Sequence, residues 1–294
     1  MAAAYVLFTF LDTSIKYLAL AGVTPLFIAW IRFSSHVALV AALFRGWQGT
    51  DRFRTSKPFA HLIRGALLAG STIFNILALR YLQLAETTSI YFFGPMVITA
   101  LAGPLLGEWA GWRRWLAIVV GFIGVLVITR PGIGVFGIGH VFALCSMLSN
   151  SVYIIMTRSM SATETAESLI LYSALAPMIL LTPTLWFTQW PSVGLLQWGL
   201  LLLLGLFGGL GHWCLIQAYR RATATALAPY PYMQMVWVIA AGWLVFGQFP
   251  DVWTLAGAGI IMASGLYIVH REHRLRVLNR AVADADVAEV AKKL

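Results

Sequence analysis

The chain has few charged residues and almost no cysteine. Asp, Glu, Lys and Arg make up 11% of its 294 residues, against about 25% in a typical soluble domain, which excludes an ordinary soluble fold. The two cysteines, Cys145 and Cys214, both lie in apolar stretches, so no disulfide framework or cysteine metal cluster is expected. The sequence also lacks motifs for phosphate cradling, zinc hydrolysis and a serine nucleophile. We therefore expect no enzyme activity, no cofactor and no ATP-driven pumping.

Long apolar runs are what the sequence does contain. Each run is about twenty residues long, enough for a helix to cross a hydrocarbon core of about 30 Å, and the mean hydropathy is +0.81. The predicted spans are residues 2–21, 24–44, 62–83, 86–107, 112–130, 135–157, 165–187, 195–219, 223–247 and 252–270. The sequence thus predicts an all-α integral membrane protein with ten transmembrane helices.

Basic residues are distributed unevenly between the connections. Lys and Arg in short loops favour the cytoplasmic side, which places both termini inside. The inner connections then hold Arg45, Arg52, Arg54, Lys57, Arg64, Arg113, Arg114, Arg158, Arg220 and Arg221, and the outer ends hold Lys16, Arg80 and Arg130. The net charge of +9 is explained by topology and anionic headgroups rather than by nucleic acid. We predict a multi-pass protein of the bacterial inner membrane.

The second half of the chain resembles the first after a shift of about 140 residues. This shift aligns Ala78, Arg80, Ala100 and Gly107 with Ala218, Arg220, Ala240 and Gly247. Five spans per half is an odd number, so the second half must enter the membrane inverted. The predicted units are repeats 1–131 and 132–271, followed by a cytoplasmic polar tail, 272–294. Inverted repeats are typical of secondary transporters.

Several local features together resemble the EamA family of the drug/metabolite transporter superfamily. They are the stretch Ala78–Tyr81, Pro95 in the fourth span, Gly107 and Glu108 at its end, and a Gly-rich fifth span closing at Arg130. The resemblance implies a 5+5 helical bundle with a central cavity lined mainly by helices one, three, four, six, eight and nine. It also implies export of amino acids or other small metabolites. Gln248 departs from the pattern, since Glu is usual at that place.

Charged residues at bilayer depth are candidates for a functional site because burying them costs several kcal/mol unless they are paired or wetted. Asp12 lies near the middle of the first span, Lys16 lies one turn further on the same face, and Arg32 lies near the middle of the second span. Two interpretations are open. Asp12 and Lys16 neutralise each other at i, i+4, or the cavity offers a carboxylate and cations to a zwitterionic substrate.

Other polar and aromatic residues at depth extend this candidate site. Each one has an alternative role, because buried amides hydrogen-bond helices together and rings also pack against lipid. The predicted substrate-binding residues are Asp12, Ser14, Lys16, Asn75, Tyr91, Asn150, Tyr153, His212, Trp213, Tyr230, Gln234 and Trp237. Pro95, Pro229 and Pro231 lie in repeat-related helices and are candidate gating positions, with static kinks as the alternative.

These observations favour a secondary transporter that exports small metabolites by alternating access. Amino acids with aromatic or bulky apolar side chains are the expected substrates. The alternatives are a broad drug or quaternary-amine exporter, against which Lys16 and Arg32 argue, and a passive channel or non-transporting adaptor. The expected partners are the small-molecule substrate and membrane lipids but no nucleic acid, with the chain as a monomer or weak homodimer.

The orientation can be tested with topology reporters. A reporter fused after Leu294 and another inserted near Gln48 should read cytoplasmic, whereas one near Pro191 should read external, because the basic connections stay inside. Opposite readings at Gln48 and Pro191 would contradict the inverted-repeat prediction.

Overall fold

The computed structural model of the chain describes residues 1–43, 53–107, 111–130, 136–160, 163–188, 190–221, 230–268, 270–271 and 274, and the regular elements within them are all helices. They are α1 (Ala2–Leu20), α2 (Pro25–Leu43), α3 (Pro58–Tyr81), α4 (Leu84–Tyr91), α5 (Gly94–Leu106), α6 (Trp112–Thr129), α7 (Ile138–Met160), α8 (Ala166–Leu181), α9 (Leu195–Arg221), α10 (Tyr230–Phe246) and α11 (Val252–Ile268). A short 3₁₀ segment, Thr182–Trp186, follows α8. The predicted tail lies outside the described residues apart from residue 274.

Each predicted span contains a described helix, so the all-helical class is confirmed. Among the described residues, seven helical stretches are long and apolar enough to cross a membrane. Three shorter apolar helices, Trp115–Thr129, Met233–Phe246 and Val252–Ile268, account for the rest. The arrangement of all ten as membrane spans in two inverted halves stays a prediction.

The fourth predicted span is broken into two helices. α4 ends at Tyr91, and α5 begins at Gly94 with Pro95 in its first turn. Pro95 has no N–H to donate to the carbonyl of Tyr91 four residues earlier, so a continuous helix would lack a hydrogen bond there. The proline therefore explains the break, which occurs at Phe92 and Phe93.

The contacts between helices agree with the internal repeat. α3 packs against α7 and α8, and α9 packs against α1 and α2. Under the shift of about 140 residues, α3 corresponds to α9 and the pair α7 and α8 corresponds to α1 and α2. The two sets of contacts are therefore equivalent, and each half of the chain packs against the beginning of the other.

Two glycines allow these helices to approach closely. A Cβ atom on Gly65 of α3 would lie 2.5 Å from the Cβ of Ala176 on α8. At the repeat-equivalent position on α9, a Cβ atom on Gly205 would collide with the backbone of Ser35 and His36 on α2. Because any side chain would force these helices apart, each crossing requires glycine.

The ends of α5 and α10 are also equivalent under the internal repeat. Gly107 caps α5 with φ of 73°, and Gly247 follows α10 with φ of 65°. Both values lie in the left-handed region that glycine adopts at little cost. The two positions are the ones that the internal alignment pairs.

The close crossing of α2 and α9 gives a stability prediction. Gly205→Ala should lower the thermal midpoint of the purified protein in detergent, because the added methyl group overpacks the interface at a cost of about 1–3 kcal/mol. Gly199→Ala is the matched control on the same helix, since a Cβ there meets nothing within 4 Å. A midpoint for Gly205→Ala equal to that of the control would contradict the crossing.

Candidate functional site

Asp12 lies at the middle of α1 and is held from α3. Its Oδ1 accepts a hydrogen bond from Asn75 Nδ2 at 3.0 Å. The residue is half-buried. Two of the residues named from the sequence, Asp12 and Asn75, are thus in contact, and Oδ2 keeps accepting capacity for another donor.

Arg32 of α2 is the cation that lies near Asp12. Its Nη1 donates to Thr72 Oγ1 of α3, and its guanidinium lies 5.1 Å from the ring centroid of Phe33. The side chain is 8% exposed and Nε has no hydrogen-bond partner. Asp12 and Arg32 are within electrostatic range of each other. Within the described residues, however, no ion pair of 4 Å or less joins them.

Lys16 takes no part in this pair, which corrects the sequence-based grouping. Its Nζ donates to the carbonyl of Leu82 and to Oε1 of Gln248, both at 2.7 Å. It also lies 5.2 Å from the ring centroid of Phe246. These contacts tie the far end of α1 to the ends of α3 and α10. The structure thus does not contain the alternative in which Asp12 and Lys16 neutralise each other.

A second contact joins α4 to α7 at the same end of the bundle. His140 Nε2 lies 2.8 Å from Oε1 of Glu86. His140 Nδ1 accepts from the backbone N–H of Gly137 at 3.2 Å. Because Nδ1 accepts, Nε2 carries the hydrogen and donates to the Glu86 carboxylate. This end of the bundle is consequently held by polar contacts on α1, α4, α7 and α10.

Tyr91 belongs to a polar cluster between α3, α4 and α7. Its hydroxyl hydrogen-bonds with Ser146 and lies 3.4 Å from Ser71 Oγ. Ser146 Oγ in turn donates to the carbonyl of Ser71 at 2.5 Å. Tyr91 interacts electrostatically with Arg32.

His212 of α9 contacts rings on α1 and α2. Its ring stacks on His36 with centroids 6.4 Å apart and meets the ring of Phe8 edge-on at 5.2 Å. His36 is 3% exposed and its Nε2 has no hydrogen-bond partner. These ring contacts join α9 to the first two helices.

Tyr153 also interacts electrostatically with Arg32, but it is hydrogen-bonded in a cluster toward the opposite end of α3 from Lys16. Its hydroxyl is 3.0 Å from Ser173 Oγ, and the Arg64 guanidinium lies 5.5 Å from its ring centroid. Arg64 Nη1 donates to Ser173 at 2.9 Å and Nη2 donates to the carbonyl of Leu169 at 2.7 Å. From the sequence, Arg64 is assigned only to the cytoplasmic connections, as one of the charges that set the membrane topology. It is in fact 1% exposed and joins α3 to α8.

Glu164, between α7 and α8, completes this cluster. His61 Nε2 lies 3.3 Å from its Oε2. Burial raises the pKa of Glu164, but hydrogen bonds from Thr55, His61 and Ser56 outweigh burial and hold the pKa below its usual value. The carboxylate is therefore charged at neutral pH and anchors the connection between α7 and α8 to the start of α3.

The remaining predicted residues differ in burial. Ser14 is buried, Asn150 is half-buried, Gln234 is 9% exposed and Trp237 is 45% exposed. Trp213 packs on a separate cluster of Val40, Phe53 and Ile170. Pro229 lies outside the described residues, as do the side chains of Tyr230 and Pro231.

Sequence reasoning missed three contributors to the site. Thr72, Ser71 and Ser146 are small hydroxyl residues inside apolar helices, where they resemble packing residues. The one available signal was position: Thr72 and Asn75 are three residues apart and share a face of α3. In the part of the chain that the structure describes, no group of three or more His, Cys, Asp or Glu could hold a metal ion.

The chain is similar to known membrane transporters over most of its length. A model of the EamA-like transporter family matches residues 1–130 and again residues 137–270. The chain is 30% identical over 247 residues to the "S-adenosylmethionine uptake transporter" of Rickettsia bellii, covering 84% of each protein. It is 24% identical over 267 residues to the "Riboflavin transporter" of Vibrio cholerae, covering 89% of this chain and 88% of that protein.

A protein of known crystal structure has the same fold. Its TM-score is 0.66 at 19% sequence identity, and the match covers 93% of this chain and 97% of that one.

Separate partners for Asp12 and Lys16 give a testable outcome. Asp12→Asn and Lys16→Met should impair transport independently, because each charge is bonded elsewhere. The losses in kcat/KM of the two single variants, expressed as free energies, should sum to the loss in the double variant within about 0.5 kcal/mol. Recovery of activity in the double variant would instead indicate a direct pair, because removing both charges leaves neither one orphaned.

Proposed function

Because the chain belongs to the EamA-like transporter family, it is a multi-pass membrane transporter, and we propose that it carries a zwitterionic metabolite with an amino-acid group. S-adenosylmethionine is the proposed substrate and uptake the proposed direction. The name of the Rickettsia bellii relative supports both. The predicted export of amino acids receives no support from the names of the Rickettsia and Vibrio relatives.

The observation that carries this proposal is a pair of opposite charges with unused hydrogen-bonding capacity. Asp12 is bonded through Oδ1 by Asn75, and Arg32 is bonded through Nη1 by Thr72. Arg32 Nε has no partner at all. A buried guanidinium with an unbonded N–H costs free energy until an acceptor is supplied. A zwitterion supplies an anion for Arg32 and a cation for Asp12 together.

The chemistry of the candidate substrates separates them. S-adenosylmethionine has, besides its sulfonium cation, an ammonium group for Asp12, a carboxylate for Arg32 and a flat ring system that Tyr91 could contact. Riboflavin has a flat ring system but no amino-acid group, so it would offer neither charge a group of opposite charge. The site therefore favours the amino-acid-bearing molecule.

A free amino acid with a ring is the second candidate substrate, in the direction of export. The same charge pair fits its ammonium and carboxylate, and Tyr91 interacts electrostatically with Arg32. A quaternary-amine drug without a carboxylate is a poorer candidate because it offers Arg32 no anion. A free amino acid thus differs from S-adenosylmethionine in size and in the proposed direction of transport. Both offer an ammonium and a carboxylate to the charge pair.

Alternating access between two inverted five-helix halves is the proposed cycle, in the bacterial inner membrane with both termini cytoplasmic. Three observations support a division into two equivalent halves. The family model matches the chain twice. α3 and α9 pack in equivalent ways, and Gly65 and Gly205 lie at equivalent helix crossings. Pro95 at the break between α4 and α5 is the proposed hinge in the first half. Pro229 and Pro231 are its proposed counterparts.

Flux into proteoliposomes tests the proposed substrate. Labelled S-adenosylmethionine should enter with saturation, and Asp12→Asn or Arg32→Gln should each raise KM about 10- to 100-fold, since a hydrogen bond to a charged group contributes about 1.5–3 kcal/mol. Asp251→Asn is the matched control: Asp251 pairs with Arg130 at 2.7 Å with its side chain 44% exposed. This variant should transport normally.

Competition distinguishes the remaining possibilities. Unlabelled phenylalanine should compete weakly and riboflavin should not compete. Saturable flux of riboflavin that survives both charge substitutions would contradict the proposed substrate class. Flux proportional to concentration would indicate a channel.

A further inference from the structure

α3 supplies a separate neutral partner to each of the two charges. Thr72 Oγ1 accepts from Arg32, and Asn75 Nδ2 donates to Asp12 at 3.0 Å. The two residues are three apart in a helix and so lie on one face, about one turn from each other. One short stretch of α3 therefore holds the side chains that reach it from α1 and α2.

Electrostatics alone would bring the two charges together. Opposite charges in a medium of low dielectric attract strongly, and an Arg and a carboxylate readily form a direct bidentate pair. Asp12 and Arg32 are close enough to interact, yet no ion pair of 4 Å or less joins them within the described part of the chain. Thr72 is hydrogen-bonded to Arg32 and Asn75 to Asp12, so these two side chains are the ones placed to hold the charges apart.

The packing of α3 makes it a suitable fixed support. Gly65 brings α3 against α8 so closely that a Cβ atom would meet Ala176, and Arg64 bonds α3 to Ser173 and Leu169 of α8. α3 also packs along α7. Thr72 and Asn75 thus belong to a helix that is anchored two to three turns earlier along its length, at Arg64 and Gly65.

We propose that Thr72 and Asn75 are positioning residues that keep Asp12 and Arg32 from pairing, and that they thereby set the preference for a zwitterion. This inference rests on the proposed function. Without these residues the two charges close onto each other, and the substrate has to break an ion pair before it binds. Selectivity for molecules that carry both an ammonium and a carboxylate then falls.

Thr72 offers a matched pair of variants. Thr72→Val keeps the shape and removes the hydroxyl, whereas Thr72→Ser keeps the hydroxyl. The measurement is KM and kcat for S-adenosylmethionine and for its decarboxylated analogue in proteoliposomes. Thr72→Val should lower the preference for the carboxylated molecule about tenfold, through KM rather than kcat, and Thr72→Ser should restore it. A purely structural role would change both substrates alike.

Asn75 tests the same claim from the side of Asp12. Asn75→Leu should lower the preference for S-adenosylmethionine over its deaminated analogue about tenfold. This variant also keeps the inference testable if Thr72→Val does not fold, which the thermal midpoint in detergent reports. Preferences equal to those of the wild type in both Thr72→Val and Asn75→Leu would overturn the positioning role. A wild-type protein that transports the zwitterion and both analogues equally well would overturn the proposed function itself.

Discussion

The separation of two buried opposite charges is the constraint on which the rest of the site depends. Asp12 and Arg32 lie inside an apolar bundle, where a charge costs several kcal/mol unless it is paired or wetted. Each has a partner from α3 and unused capacity for another. A ligand that bonds to both charges would satisfy the hydrogen-bonding capacity that the protein leaves unused. This is the physical basis for proposing a zwitterionic substrate.

The architecture around the site explains how such a separation can persist. α3 is fixed by Gly65 and Arg64 against α8, and α9 is fixed by Gly205 against α2. The two crossings are equivalent under the internal repeat, so both halves of the chain support the centre in the same way. Polar contacts at the two ends of the bundle, at Lys16 and at Glu164, must rearrange in any proposed cycle that opens each end in turn.

Much of the fold follows from the sequence because hydrophobic length is a local property. The apolar runs locate the helices, and Pro95 marks the break between α4 and α5 because a missing N–H acts within one turn. The start of α3 at Pro58 was missed by four residues, since His61 and Arg64 resemble loop residues until their buried partners are known. The ten-span inverted layout stays a prediction, supported by equivalent contacts.

The site was less predictable because its contacts are between distant residues. Asp12 and Asn75 stand out as polar residues in apolar spans. The partner of Lys16 is Gln248, 232 residues away, and i, i+4 spacing on α1 suggested Asp12 instead. Thr72 and Ser146 carry no sequence signal that separates binding from packing. An experimental structure with S-adenosylmethionine bound tests the central claim most directly. The account predicts the substrate carboxylate within about 3.2 Å of Arg32 and its ammonium at a similar distance from Asp12. A direct Asp12–Arg32 ion pair, with the substrate bound elsewhere, would contradict it.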